Sequence, residues 1–271
     1  MLIHKAPEPR LVLFIVLVIL VPGCGTLDNG SLWGQNATLT PSLVRVKSAI
    51  VSAAKHPATW SPLLGATILS VGNLDERISE KLAEDNPVFG SRRSADDASD
   101  VLRDSLVASV ALTALVMPDG DNTKEHAINK TKGLIVEMVA VKSTDLVTNG
   151  IKDLAGRERP NRANDKSFPS GHTSRAFAAA SLTSKNLESL YLDETVENGI
   201  RIGVYSIASA TAWARVEAEV HYPTDVLAGA ALGNFLSRFI HDAFLGLDQQ
   251  NTYIEIGIIP GKTQLTLHWD F

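Results

Sequence analysis

A chain of 271 residues is long enough for one large domain or two small ones, and 45% hydrophobic with 20% charged residues is the balance of a globular protein. The net charge of −5 leaves no broad basic field for a phosphate polymer, so nucleic acid is not expected as a partner. Cys24 is the single cysteine, which excludes an internal disulfide and zinc sites built on several thiolates.

The chain opens with His4, Lys5 and Arg10 ahead of an apolar run over residues 11–22, then Gly23-Cys24. A basic start, a short apolar stretch and a small residue at its end predict an export signal over residues 1–23. The run is too short for a comfortable permanent membrane span. Val21-Pro22-Gly23-Cys24 resembles the lipobox of bacterial lipoproteins, which implies lipidation at Cys24. Loss of residues 1–23 removes Lys5, Arg10 and Glu8 and leaves a mature chain at about −6. Gly25 supplies no retention aspartate after the cysteine, so the resemblance implies a lipid-anchored protein of the cell envelope, facing the periplasm and held at the outer membrane.

Residues 24–40 are rich in Gly, Asn, Ser and Thr without apolar periodicity and predict a solvated tether. A helical domain is expected over 41–250. Thr40-Pro41 reads as a capping hydroxyl and first-turn proline for a helix running to about Lys55. Leu74, Ile78 and Leu82 recur every four residues in a helix that stops at Asn86-Pro87. A longer one spans 94–117, with Leu102, Leu106, Val110 and Met117 on its apolar side. Others are expected over 121–155, 171–184, 196–215 and 223–245. No stretch of the mature chain reads as a transmembrane span. In the last segment, 251–271, Leu265, Leu267 and Trp269 alternate with polar residues, and Pro260-Gly261-Lys262 separates two strand-like runs. The expected fold is all-α, with a carboxy-terminal β-hairpin.

Three groups of residues carry chemistry. Lys152 and Arg159 stand seven apart, with Gly156 and Pro160 loosening the chain between and after them. Pro169-Ser170-Gly171-His172 precedes an Ala-rich run, which sets Ser170 at a helix N-cap position. Free backbone N–H groups there favour an anion. Arg215, His221 and Asp225 follow, and Pro223 puts Asp225 in an opening helical turn from which it reaches back to His221. Singly, each is a common surface arrangement. Together they supply cations, backbone donors, a nucleophile, its orienter and a proton donor, which are the parts of a phosphoryl transfer.

The pattern Lys-x6-Arg-Pro, Pro-Ser-Gly-His, Arg-x5-His-x3-Asp is similar to the phosphatidic acid phosphatase type 2 superfamily, which also takes in bacterial acid phosphatases and vanadium haloperoxidases. The resemblance covers Lys152 to Asp225 and implies that family's helical bundle. Ala214 departs from the family's serine before the third-motif arginine. It implies that Lys152, Arg159, Arg215, Ser170 and the Gly171 amide hold phosphate. His221 attacks phosphorus with Asp225 behind it, and His172 acts as acid and then base. No metal and no cofactor is implied. The substrate expected is a phosphorylated lipid or a small phosphate ester or pyrophosphate. A vanadium haloperoxidase and a non-catalytic envelope lipoprotein are the alternatives, and the oligomeric state is left open.

Overall fold

The computed structural model describes residues 26–27, 30–247, 253–259 and 262–268. The expected signal over residues 1–23 and Cys24 lie outside the described residues, as do the turn residues Pro260-Gly261 and Trp269.

Local chemistry accounts for most helix ends. α1 (Leu43–Lys55) starts two residues after the expected proline, because Ser42 and not Thr40 caps it, its hydroxyl accepting from the Arg45 amide. α2 (Pro57–Leu69) has Pro57 in its first turn, and the Ala58 amide donates to His56 Nδ1. It was not expected as a helix. Its sequence is apolar on every side and carries Pro62, so it offers no amphipathic stripe to read. α3 (Leu74–Asp85) ends at Asn86 in the left-handed conformation. α4 (Arg92–Val116) is capped by Ser91, and α5 (Thr123–Ala155) by Asn122, with Gly156 at φ 54° closing it. α6 (Gly171–Glu188), α7 (Glu194–Glu217) and α8 (Pro223–Ile240) complete the bundle, and a π-helical turn continues α8 over His241–Leu245. β1 (Tyr253–Ile259) and β2 (Lys262–His268) pair antiparallel, from Tyr253 opposite His268 to Ile259 opposite Lys262.

α6 is the central rod, packed against α4, α5, α7 and α8. Its Ala176, Ala178, Ala179, Ala180, Ser174 and Ser181 are buried, so their small side chains let four helices close on it. The tightest approach is to α8. A Cβ on Gly229 would lie 2.6 Å from the Ser170 carbonyl oxygen, and one on Gly233 would lie 3.0 Å from the Ala178 nitrogen. Only glycine permits that distance at 229 and 233. The contact carries the start of α8 to the start of α6, where the Ser170 amide donates to the Asp225 carbonyl at 2.9 Å.

The tether reading is corrected within the described part of 24–40. Leu27 and Trp33 are fully buried members of the main core, with Leu106, Val110, Val136 and Leu245. The Trp33 ring fills the space a side chain at Gly133 would need, and the Lys130 ammonium sits 5.7 Å from the ring centre. An indole of this size is worth more in the core than in water, which outweighs the polar composition around it. Among the described residues, no helix is long and apolar enough to cross a membrane.

Candidate active site

The three sequence groups converge at one end of the bundle. Lys152 lies in the last turn of α5 and donates to the Lys166 carbonyl at 2.7 Å. Arg159 follows on the loop between α5 and α6, its amide bonded to the Asn164 carbonyl. Gly171 and His172 begin α6, Arg215 is in the last turn of α7, and His221 precedes α8. These six residues line one polar cavity of about 210 Å³, together with Arg103, Asp145, Thr148, Asn149 and Arg175. Ser170 and Asp225 are fully buried behind it and do not line it. Ser170 Oγ accepts a bond from the Thr173 hydroxyl at 3.1 Å and makes no side-chain cap on α6.

The cations differ in how they are engaged. Arg215 pairs with Asp96 and donates to Ser99 Oγ at 2.9 Å. Arg175 is bound through two nitrogens to Asp145, at 2.9 and 2.7 Å. Nε of Arg159 and Nε of Arg215 are buried with no hydrogen-bond partner. Buried unpaired donors of this kind are costly unless an anion takes them up. Burial, with the Arg159 charge beside it, pushes the Lys152 ammonium down to about 8.

Both histidines are neutral at pH 7. Burial drives His221 down to about 3; Asp225 pulls the other way, and the Arg215 and Lys152 charges add to the fall. Burial and then Arg215 drive His172 down to about 4, against Asp100. His221 Nδ1 faces Asp225 Oδ2 at 3.7 Å, too long for a hydrogen bond, and this nitrogen is buried without a partner. A bound phosphate dianion would offset the cations and so raise both histidines.

Asp225 is held from three sides. Its Oδ2 accepts from Ser167 Oγ at 2.5 Å and the Tyr222 amide at 2.8 Å, and its Oδ1 pairs with Arg157 at 2.7 Å. Arg157 lies over the Tyr222 ring and pairs with Asp75 at 2.7 Å. Burial pushes the Asp225 carboxyl up, but its contacts with His221 and Ser167 and the Arg157 charge leave it below the usual range.

Arg157, Asp75 and Ser167 were missed from sequence, as were Asp96, Ser99, Asp100 and Arg103. The last four had a readable signal: they recur at i, i+3, i+4 and i+7, a polar stripe down one face of α4. Asp75 had none, being far away in sequence. Among the described residues no group of three or more His, Cys, Asp or Glu could hold a metal ion. A second cavity, of about 390 Å³, is lined by apolar side chains that include Trp60, Leu63, Ile151, Phe168, Pro169 and Phe235. Ile151 and Pro169 place it beside Lys152 and Gly171 of the polar one.

The model of the PAP2 superfamily matches residues 133–246. A lipid A 1-phosphatase of Porphyromonas gingivalis is 27% identical over 216 residues, which is 78% of this chain and 43% of that protein. The chain therefore spans less than half the length of that relative. The crystal structure of a transmembrane PAP2-type phosphatidylglycerolphosphate phosphatase from Bacillus subtilis superposes with a TM-score of 0.50 at 20% identity, covering 73% of this chain and 94% of that one. The match runs from within α5 through the π-helical turn and takes in every residue of the three sequence groups, so over residues 133–246 this chain is similar to the PAP2 superfamily.

Proposed function

We propose that the chain is a metal-independent phosphatase that cleaves a phosphate monoester or pyrophosphate through a phosphohistidine. The observation that carries this reading is the pair of buried, unpartnered guanidinium nitrogens on Arg159 and Arg215 at a cavity lined by five cationic side chains and by His221, whose Nδ1 is turned to Asp225. In this reading, Lys152, Arg159, Arg215 and the Gly171 amide take the phosphate oxygens, with Ser170 shaping the cradle from behind. His221 attacks phosphorus as the P–O bond to the leaving group breaks, and His172 gives that oxygen a proton. His172 then takes a proton from water, whose oxygen attacks phosphorus and releases His221. Fixed cations perform the charge neutralisation that magnesium provides elsewhere.

A lipid phosphate is the favoured substrate. The apolar cavity beside the polar one suits hydrocarbon, and the relatives just described are named for phosphorylated lipids. Lipidation at Cys24, export to the periplasm and outer-membrane anchoring belong to the same reading, with the strand pair as an appendage to the bundle; incorporation of labelled fatty acid at Cys24 tests the anchor. For the chemistry, His221→Ala should abolish phosphate release, a chelator should leave the wild type unaffected and vanadate should inhibit it. Full activity in the variant, or loss of activity to the chelator, would overturn the proposal.

A further inference from the structure

Asp100 stands on α4, outside the residues that match the superfamily. Its Oδ1 lies 2.7 Å from His172 Nε2, and Arg103, one turn on, pairs with the same oxygen at 2.8 Å. Its neighbour Asp96 is occupied by Arg215, so the two acids on this face of α4 have separate partners. The contact fixes the ring of His172. With Nε2 turned to Asp100, Nδ1 is the nitrogen left to serve a reacting oxygen.

We propose that Asp100 is the positioning carboxylate of His172, holding the ring through Nε2 and directing its transferable proton to Nδ1. The site then holds two Asp–His pairs, Asp225–His221 for attack on phosphorus and Asp100–His172 for proton transfer. His172 enters the first half-reaction as the imidazolium, taking up its second proton from solvent as the bound phosphate dianion raises it. Nδ1 gives that proton to the leaving oxygen as the P–O bond breaks and the bond from His221 to phosphorus forms, which leaves the ring neutral. In the second, Nδ1 takes a proton from the attacking water. Asp100 accepts from Nε2 throughout and is not itself protonated, because His172 and Arg103 keep its carboxyl below the usual range against the effect of burial. The charged groups around His172 are Asp100 and Arg103 from α4, Arg215 from α7, Lys152 and Asp145 from α5, Arg159 from the loop and Arg175 on α6 itself, and the neutral, titratable His221 stands with them. Those in α4 and α7 act on it most, and Asp100 supplies the pull that favours the charged ring.

The proposal rests on the phosphatase reading and is tested on the full chain with Asp100→Asn and Asp100→Glu. The measured quantity is kcat/KM across pH, for p-nitrophenyl phosphate and for a simple alkyl phosphate. This ratio reports the steps up to formation of the phosphoryl-enzyme, where the leaving group departs. An alkoxide needs the acid, and nitrophenolate hardly does. Asp100→Asn should therefore lower kcat/KM about 10- to 100-fold for the alkyl ester and only about twofold for the aryl ester. Its alkaline limb should move to lower pH by about one unit, since loss of an adjacent opposite charge depresses the histidine. Asp100→Glu, which keeps the charge, should return the limb towards the wild-type position even if the maximum is lower. Equal losses for both esters, or an alkaline limb unmoved in Asp100→Asn, would overturn the role of Asp100 while leaving the phosphatase reading intact. A wild-type protein that releases no phosphate from either ester would overturn both.

Discussion

Gly229 controls the distance between the two halves of the site, and replacing it with alanine puts a number on that control. The added Cβ would stand 2.6 Å from the Ser170 oxygen and 3.3 Å from the Ser174 nitrogen, where ordinary contact begins near 3.4 Å. Both neighbours are backbone, so no rotamer change relieves the clash. α6 and α8 must part by roughly 0.8 Å. Overpacking of this kind costs about 1–3 kcal/mol, partly offset by about 1 kcal/mol of helix propensity gained over glycine. At about 2–4 °C per kcal/mol for a domain of this size, the melting temperature should drop by a few degrees. Activity should suffer more. The shift acts at Ser170, which begins the α6 contribution and is bonded to Asp225 of α8. A misplacement near 1 Å costs about 100-fold in rate. The control is Gly203→Ala on α7, where a Cβ meets nothing within 4 Å; it should raise stability by about 0.5–1 kcal/mol and leave the rate alone. Thermal unfolding followed by circular dichroism and phosphate release are the two assays. A Gly229→Ala protein with wild-type melting and wild-type turnover would show that the close approach does not set the site.

Glu137 on α5 is fully buried, accepts from Asn186 at 2.5 Å through one oxygen and has no hydrogen-bond partner on the other. Burial raises its pKa from 4.5 to about 8, so the folded chain keeps a proton that the unfolded chain has lost between those values. Stability should thus be greatest below pH 4.5 on this account and fall by about 1.4 kcal/mol per unit as pH rises through that window. Glu137→Gln should flatten that slope and gain roughly 3 kcal/mol at pH 7, read from urea midpoints at pH 5 and 7; an unchanged slope would count against it. Trp33→Ala should cost about 3–5 kcal/mol by urea unfolding, through the cavity left against Gly133, whereas a solvated tether would lose almost nothing.

Features governed by near neighbours were legible in the sequence, and features made by distant ones were not. α5 matched its expected limits closely because Asn122 and Gly156 mark its ends, and α6 began where Ser170-Gly171 announced it. The six cavity residues from the three groups were found because their spacing is short and ordered. α2 was lost because a helix apolar all round has no periodic signature. Trp33 was misread because its partner, Gly133, is a hundred residues away and a lone indole in a polar stretch has no pattern. Asp75 and Arg157, which hold Asp225 in place, belong to the same class: only the fold brings them together.

The burial of Leu27 also determines how far a lipid on Cys24 would let the domain travel. A free linker over residues 25–40 would give a root-mean-square reach of roughly 20 Å and independent tumbling. With Leu27 locked into the core, three peptide units separate it from Cys24, which span at most about 10 Å when fully stretched. That is a stub, not a leash. An enzyme anchored so closely would search for substrate in two dimensions, and its encounter rate would follow the surface density of phosphorylated headgroups more than their bulk concentration.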